Sequence, residues 1–193
     1  PIRPSTATDT AKELEFDILD SGYSVGTART KGGGRSKTIR MLHWSEVSHS
    51  PNAAAHFAGI VQAVPDLPDT EIVLESTGDG PAGEYFERWQ QAEAGIGDYE
   101  AIFAPWSWTE EYARPVPAGF VLDEEEARYR GLYQLTLAQM VWRRAKIAEL
   151  RDPKLFKQEY PASAAEMFEA TGKASYISPD LVVNARKTEK DGI

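Results

Sequence analysis

Lys37-Thr-Ile-Arg-Met-Leu-His-Trp-Ser-Glu46 is the stretch whose reading decides the fold. Ile39, Met41, Leu42 and Trp44 make a mostly apolar run of strand length. The run ends abruptly in a carboxylate, Glu46, followed by the polar Ser48-His49-Ser50. Ligands of open α/β sheets gather at the carboxyl ends of parallel strands, so an acid delivered there is placed for chemistry. The pattern recurs about thirty residues later. Glu71-Ile-Val-Leu-Glu75 runs straight into Ser76-Thr77-Gly78-Asp79-Gly80. Two strands, each ending in polar groups, define one edge of a site.

Between them lies a helix signal. Ser50 is placed to cap, Pro51 suits a first turn, and Phe57, Ile60, Val61 and Val64 recur at helical spacing before Pro65 and Pro68. Downstream, Pro81 opens a second helix with Tyr85, Phe86, Trp89 and Ala92 on one face and Gly95 just past its end. Tyr99-Glu-Ala-Ile-Phe103 then reads as a third strand, closing in Pro105-Trp-Ser-Trp108. Strand, helix, strand, helix, strand is the grammar of a parallel sheet with covering helices. Trp106 and Trp108 are expected to be packing residues.

Upstream, Leu14-Glu-Phe-Asp-Ile18 alternates apolar and polar. Asp20-Ser21-Gly22 signals a turn, and Tyr23-Ser-Val-Gly-Thr-Ala28 reads as the return strand of a hairpin. Residues 1–11 read as loose. From Thr109 the pattern turns helical. Asp123-Glu-Glu-Glu126 is an acidic first turn suited to the positive end of a helix dipole. Thr136-Leu-Ala-Gln139 is a capping box opening a helix to about Leu150, and Ser163-Ala-Ala-Glu166 is a second one. Trp142 is expected in the core, and Arg143 and Arg144 are expected to pair with nearby acids.

Composition narrows the class. The chain has 193 residues, 41% hydrophobic and 26% charged, enough for one domain with a core. No run of 18 apolar residues occurs, so no membrane-spanning helix is expected. Pro1-Ile-Arg-Pro-Ser-Thr6 lacks the apolar centre of a signal peptide. Cysteine is absent, which removes disulfides and thiolate metal sites and fits a reducing compartment. His43, His49 and His56 form no recognisable ligand pattern. The net charge is −9, yet Arg29, Lys31, Arg35, Lys37 and Arg40 cluster around three glycines with no acid among them. An acidic chain is a poor non-specific binder of nucleic acid, so this cluster is the place to look for phosphate contact.

The ordered set of these stretches resembles the large terminase subunit of tailed bacteriophages, the motor that packs DNA into the capsid. The resemblance covers roughly Leu14 to Tyr176. It rests on Gly34-Arg-Ser36 before Thr38-Ile-Arg-Met-Leu-His-Trp-Ser-Glu46, and on Ile72-Val-Leu-Glu-Ser-Thr77, Gly83-Glu-Tyr-Phe86 and Ile102-Phe-Ala-Pro-Trp106 with Glu111-Tyr112. It continues through Leu137-Ala-Gln139 with Trp142-Arg-Arg144, and Phe156-Lys-Gln-Glu-Tyr-Pro161 with Ala165-Glu-Met-Phe168 and Gly172.

The resemblance implies an α/β fold, a partial P-loop NTPase (ASCE-type) parallel sheet with flanking helices, followed by a mostly helical lid or linker. Residues 12–108 would be the C-terminal half of the ATPase domain, 109–180 the lid or linker, and 181–193 a frayed tail. Glu46 would be the Walker B glutamate that orients or deprotonates the attacking water. Ser45 stands where many P-loop enzymes place a magnesium-holding aspartate, and its neutral hydroxyl is a weaker partner. Ser76 and Thr77 would form the coupling motif that senses hydrolysis. Arg35 is the candidate arginine finger acting on a neighbouring subunit's nucleotide, with Arg29 and Arg40 as rivals. Arg29, Lys31 and Arg40 are candidates for weaker phosphate contact with nucleotide or DNA.

No Gly-x4-Gly-Lys-Ser/Thr loop occurs in these residues. The resemblance therefore places the Walker A half before residue 1 and a nuclease domain after Ile193. This chain alone is expected to hydrolyse no ATP and to hold neither ATP nor Mg²⁺ tightly. The whole protein would be an ATPase, and an endonuclease, using ATP and Mg²⁺. Its partners would be double-stranded DNA, the portal protein, the small terminase subunit and further copies in a ring, in the cytoplasm of a bacterial host at the procapsid portal. Two other readings stand beside it: a helicase-like P-loop motor, and a non-catalytic prophage remnant or capsid-assembly binding module.

Overall fold

The computed structural model describes residues 5–27 and 38–169. It is a mixed α/β chain with two compact units, one ending at Glu75 and the other beginning at Ser76. Arg29, Lys31, Arg35, Lys37, Gly172 and the tail from 181 lie outside the described residues.

The first unit opens with three antiparallel strands, β1 (Thr8–Asp9), β2 (Glu13–Phe16) and β3 (Ser21–Ser24). The alternation of Leu14-Glu-Phe does form a strand, and Leu14 sits opposite Tyr23 in the ladder to β3. The turn is carried by Asp20 at φ 45, a left-handed position that aspartate tolerates. Residues before 12 are not loose throughout. Thr8 and Asp9 pair with Glu15 and Leu14, and the Thr8 hydroxyl donates to Glu15 at 2.9 Å. A two-residue strand carries no hydrophobic period, so the sequence offered no signal for it.

β4 (Met41–Trp44) and β5 (Glu71–Leu74) pair in parallel, Met41 with Glu71 through Trp44 with Leu74. Parallel neighbours need a crossover. Here it is a 3₁₀ turn (Val47–His49), helix α1 (Ala53–Ile60) and a second 3₁₀ turn (Val61–Ala63). Helix α1 starts later than its sequence suggests. Ser50 is not its cap; Asn52 is, in a left-handed conformation and without a side-chain bond. The helical period through Val61 and Val64 breaks at Ile60, where the chain tightens.

The alternation of β4 assigns its faces. Leu42 is buried, Trp44 stacks on Phe57 of α1 at 6.5 Å between centroids, and Val47 is fully buried. On the other face Met41 is 68% exposed and Val73 39%. Parallel sheets are ordinarily covered on both faces; here Met41 and Val73 share an open face with His43 and Glu71.

The second unit is helical. Helices α2 (Glu84–Glu93), α3 (Glu124–Tyr133), α4 (Leu137–Leu150), α5 (Pro153–Glu159) and α6 (Ala164–Met167) follow in order. The Thr136 box forms in full: the Thr136 hydroxyl accepts from Gln139 N–H, and the Gln139 side chain accepts from Thr136 N–H. Asp123 and Glu126 make the same reciprocal pair at α3. At α6 the box is half formed. Ser163 accepts from Glu166 N–H, but the Glu166 carboxylate turns to Ala162 N–H at 2.9 Å and to the Tyr129 hydroxyl at 3.1 Å. Helix α2 starts at Glu84 behind Gly83, later than Pro81, and Gly95 at φ 67 ends it as expected.

Trp106, Trp142 and Phe156 centre the larger core. Trp142 stacks between Trp106 at 5.2 Å and Tyr112 at 4.4 Å. Trp108 departs from its expected packing role, for it is 70% exposed. The 3₁₀ turn Trp106–Trp108 points successive residues apart, so only one indole can enter the core. Of the two arginines, Arg144 pairs with an acid: its Nε donates to Glu126 at 2.7 Å. Arg143 instead lies over the Tyr129 ring, 4.0 Å from its centroid.

Two glutamates here respond to pH with opposite signs. Hydrogen bonding from Arg144 lowers the Glu126 pKa, so its stabilisation is present above the ordinary carboxylate range and is lost as pH falls. Burial raises the Glu166 pKa, against opposing hydrogen bonds from Ala162 and Tyr129. Folded chain therefore binds more protons than unfolded chain just above the ordinary carboxylate pKa, and stability falls as pH rises through that window. Glu166→Gln is expected to remove that fall. Urea midpoints across a pH series measure it; parallel profiles for parent and variant would reject the assignment.

Candidate functional site

The site is built where β4 ends. The ladder continues one step past the strands: Glu75 N–H donates to Trp44 C=O at 3.0 Å, and Val47 N–H donates to Glu75 C=O at 3.2 Å. Ser45 and Glu46 are thus looped out between two fixed points, and both are exposed. Glu46 takes φ 56 and ψ 43, a left-handed conformation uncommon for any residue but glycine and asparagine. Such a position costs about 1–3 kcal/mol and persists only where its surroundings impose it.

Local hydrogen bonds impose it here. Trp44 Nε1 donates to Ser50 Oγ at 3.1 Å, and Ser50 Oγ donates to Glu46 C=O at 3.1 Å. His49 N–H donates to the same carbonyl at 3.1 Å. The serine that sequence reading assigned to a helix cap instead ties the strand's last indole to the glutamate's backbone. The carboxylate itself is left at the surface, with 64% of the side chain exposed and His49 Nε2 3.8 Å away.

A second carboxylate, Glu75, stands at the end of β5, with His43 Nε2 at 3.4 Å. Sequence reading gave Glu75 no role and found no pattern in the histidines. The signals were positional: His49 follows Glu46 by three residues, and His43 and Glu75 lie on the exposed alternation of paired strands. Each imidazole thus lies within 4 Å of an exposed carboxylate. An exposed carboxylate anchored by its backbone at a strand's carboxyl end can accept a proton from water or orient it.

The other expected site residues are dispersed. Arg40 precedes β4, at the opposite end of the strand from Glu46, and is ion-paired with Asp69. Six residue steps, from 40 to 46, separate the two by up to roughly 20 Å of extended chain. Ser76 and Thr77 are half-buried and open the second compact unit, so the expected coupling motif begins at the junction between units. Gly78, next to them, is buried against Met167: a β-carbon there would lie 2.0 Å from the Met167 carbonyl oxygen. Arg35, Arg29 and Lys31 lie outside the described residues.

Ser45 is the one oxygen ligand beside Glu46 that the resemblance points to. Among the described residues no group of three or more His, Cys, Asp or Glu side chains is arranged to hold a metal ion. No described helix is long and apolar enough to cross a membrane. In comparison with known proteins, no family model matches the chain and no curated protein is similar to it in sequence.

Proposed function

We propose that this chain is part of an ATP-driven DNA-packaging motor of the large-terminase kind, carrying the half of the ATPase domain that activates water, and the lid. The observation that carries the reading is Glu46. It is an exposed carboxylate held by a costly backbone conformation at the carboxyl end of a parallel strand, where phosphoryl-transfer enzymes need one. The neighbouring strand leads directly into Ser76-Thr77, the expected coupling motif.

In this reading the phosphates and Mg²⁺ are held chiefly by a Gly-x4-Gly-Lys-Ser/Thr loop on a preceding segment. Mg²⁺ keeps several waters and takes its oxygens largely from the nucleotide, so the neutral Ser45 needs to contribute little. Arg35 acts on the nucleotide of an adjacent copy. Double-stranded DNA, the portal protein and the small subunit are the partners, at a procapsid in the host cytoplasm. The open face of Met41 and Val73 is the observation that favours the second reading, a non-catalytic assembly module.

Titration with a fluorescent ATP analogue separates the two. The 193-residue chain is expected to bind none at micromolar concentration. The same chain extended through its upstream coding sequence is expected to contain the lysine-bearing loop and to bind it. An upstream frame without that loop would remove the motor reading and leave the assembly module.

A further inference from the structure

One peptide unit, between Glu46 and Val47, carries the conformation of the candidate base. Its N–H is held by Glu75 C=O at 3.2 Å, and its C=O accepts from His49 N–H at 3.1 Å and from Ser50 Oγ at 3.1 Å. A peptide unit is planar, so holding both of its ends fixes the direction in which the Glu46 side chain leaves the backbone. Two of the three bonds join main chain to main chain. The third depends on a side chain, the Ser50 hydroxyl. Ser50 is half-buried and its own backbone is fixed, since its N–H closes the 3₁₀ turn on Val47 C=O at 3.1 Å.

The polarity of the chain through Ser50 allows one arrangement. An indole N–H only donates and a carbonyl only accepts. With Trp44 Nε1 donating to Oγ at 3.1 Å, the hydroxyl proton is directed to Glu46 C=O. Hydrogen bonds in such a chain polarise one another. The chain also starts from a fixed point. The Trp44 indole stacks on the buried Phe57 of α1 with ring planes 16° apart, and the His56 ring meets it edge-on at 6.4 Å. Helix α1 sets the indole, the indole sets the hydroxyl, and the hydroxyl holds the glutamate's carbonyl.

We propose that Ser50 is a positioning residue for Glu46: its hydroxyl, oriented by the Trp44 indole, fixes the Glu46–Val47 peptide and with it the aim of the carboxylate at the attacking water. This rests on the ATPase reading for the reaction, and on the hydrogen bonds alone for the geometry.

The geometry is tested on the 193-residue chain by the indole ¹H–¹⁵N resonances of its five tryptophans. The Trp44 resonance is the one absent from Trp44→Phe. It is expected to shift in Ser50→Ala and to move back in Ser50→Thr, which keeps the hydroxyl. Those of Trp89, Trp106, Trp108 and Trp142 are expected to stay in place and report an intact fold. A Trp44 resonance unmoved in Ser50→Ala would overturn the proposal. Turnover is tested in the protein that carries the phosphate loop. There Ser50→Ala is expected to lower kcat by about 10–10²-fold with KM for ATP unchanged, the loss that follows a misplacement of about 1 Å. Ser50→Thr is expected to recover most of it. Because Ser50 acts through the Glu46 carboxylate, adding Ser50→Ala to Glu46→Gln is expected to cost no further turnover. A double variant as far below Glu46→Gln as Ser50→Ala is below parent would make the role of Ser50 independent of Glu46. Glu46→Gln inactive with Ser50→Ala at parental kcat would remove this inference and leave the motor reading. Glu46→Gln at parental turnover, or a parent without turnover, would remove the motor reading and this inference with it.

Discussion

On the proposed motor reading, Glu46→Gln is expected to lower ATP turnover by about 10²–10⁴-fold in the protein that carries the phosphate loop, the range lost when a positioned acid or base is removed, and to leave folding stability unchanged. The two halves of this expectation come from different observations. Glutamine keeps the shape of the side chain but cannot take a proton from water, so loss falls on the chemical step and shows in kcat with nucleotide affinity retained. Stability is untouched because the strained backbone is held by other groups. Val47 N–H on Glu75, His49 N–H and Ser50 Oγ on the Glu46 carbonyl, and the Trp44 indole on Ser50 all survive the change. The carboxylate gives up only an exposed contact with His49 at 3.8 Å, a class of pair worth about 0–1 kcal/mol. Glu75→Gln is the control. It removes the other exposed carboxylate at this end of the sheet, and turnover within about tenfold of parent is expected because Glu75 lies in the ladder itself rather than on the loop beyond it. If Glu75→Gln were the silent-to-inactive variant and Glu46→Gln active, the catalytic assignment would move to β5. Loss of cooperative unfolding in Glu46→Gln would make its role structural.

How much of this arrangement the sequence disclosed depends on how local each signal was. The Thr136 and Asp123 helix starts are set within four residues, and both were readable, Thr136 as a full box and Asp123 as an acidic first turn. Strands β4 and β5 were readable because each is a short apolar run ended by polar residues, with a helical crossover between them long enough for a parallel pair. Glu46 was readable as a position. Its left-handed backbone was not, because the local bonds to the Glu46 carbonyl act together with Val47 bonding to Glu75 some thirty residues on. Ser50 shows the same limit: its side chain had a local use as a cap and found a tertiary one under Trp44. Residues 99–103 carry strand alternation, but a strand exists only with a partner, and alternation says nothing about where that partner is. Trp106 and Trp108 are alike in sequence and opposite in burial, because a 3₁₀ turn, not a strand, carries them.

Gly78→Ala is expected to destabilise the chain by about 3 kcal/mol, the upper part of the range for overpacking a closed interior. For a chain of this size that lowers Tm by roughly 6–12 °C. The reason is space rather than backbone freedom. Gly78 has no positive φ, unlike Gly80 at φ +77 two residues later. A β-carbon on Gly78 would lie 2.0 Å from the Met167 carbonyl oxygen and 2.8 Å from its carbonyl carbon and Cγ. Only one of the three is a side-chain atom, so a rotamer change cannot relieve the overlap. Helix α6 would have to move, and it is poorly placed to do so: Met167 and Phe168 are buried with Trp89, Phe168 meets Phe86 at 5.0 Å, and Glu166 is tied to Tyr129 and Ala162. The loop beginning at Ser76-Thr77 is therefore pinned to α6 by one residue without a side chain. Gly80→Ala supplies the contrast. Nothing lies within 4 Å of its β-carbon, so its cost is conformational alone and about 1 kcal/mol. Differential scanning calorimetry of the two variants reads the difference directly. A Tm for Gly78→Ala within about 2 °C of parent, less than 1 kcal/mol at this chain length, would mean the close approach is not held in solution. Equal losses in the two variants would trace both to backbone conformation, and the pinning of this loop to α6 would fall with them.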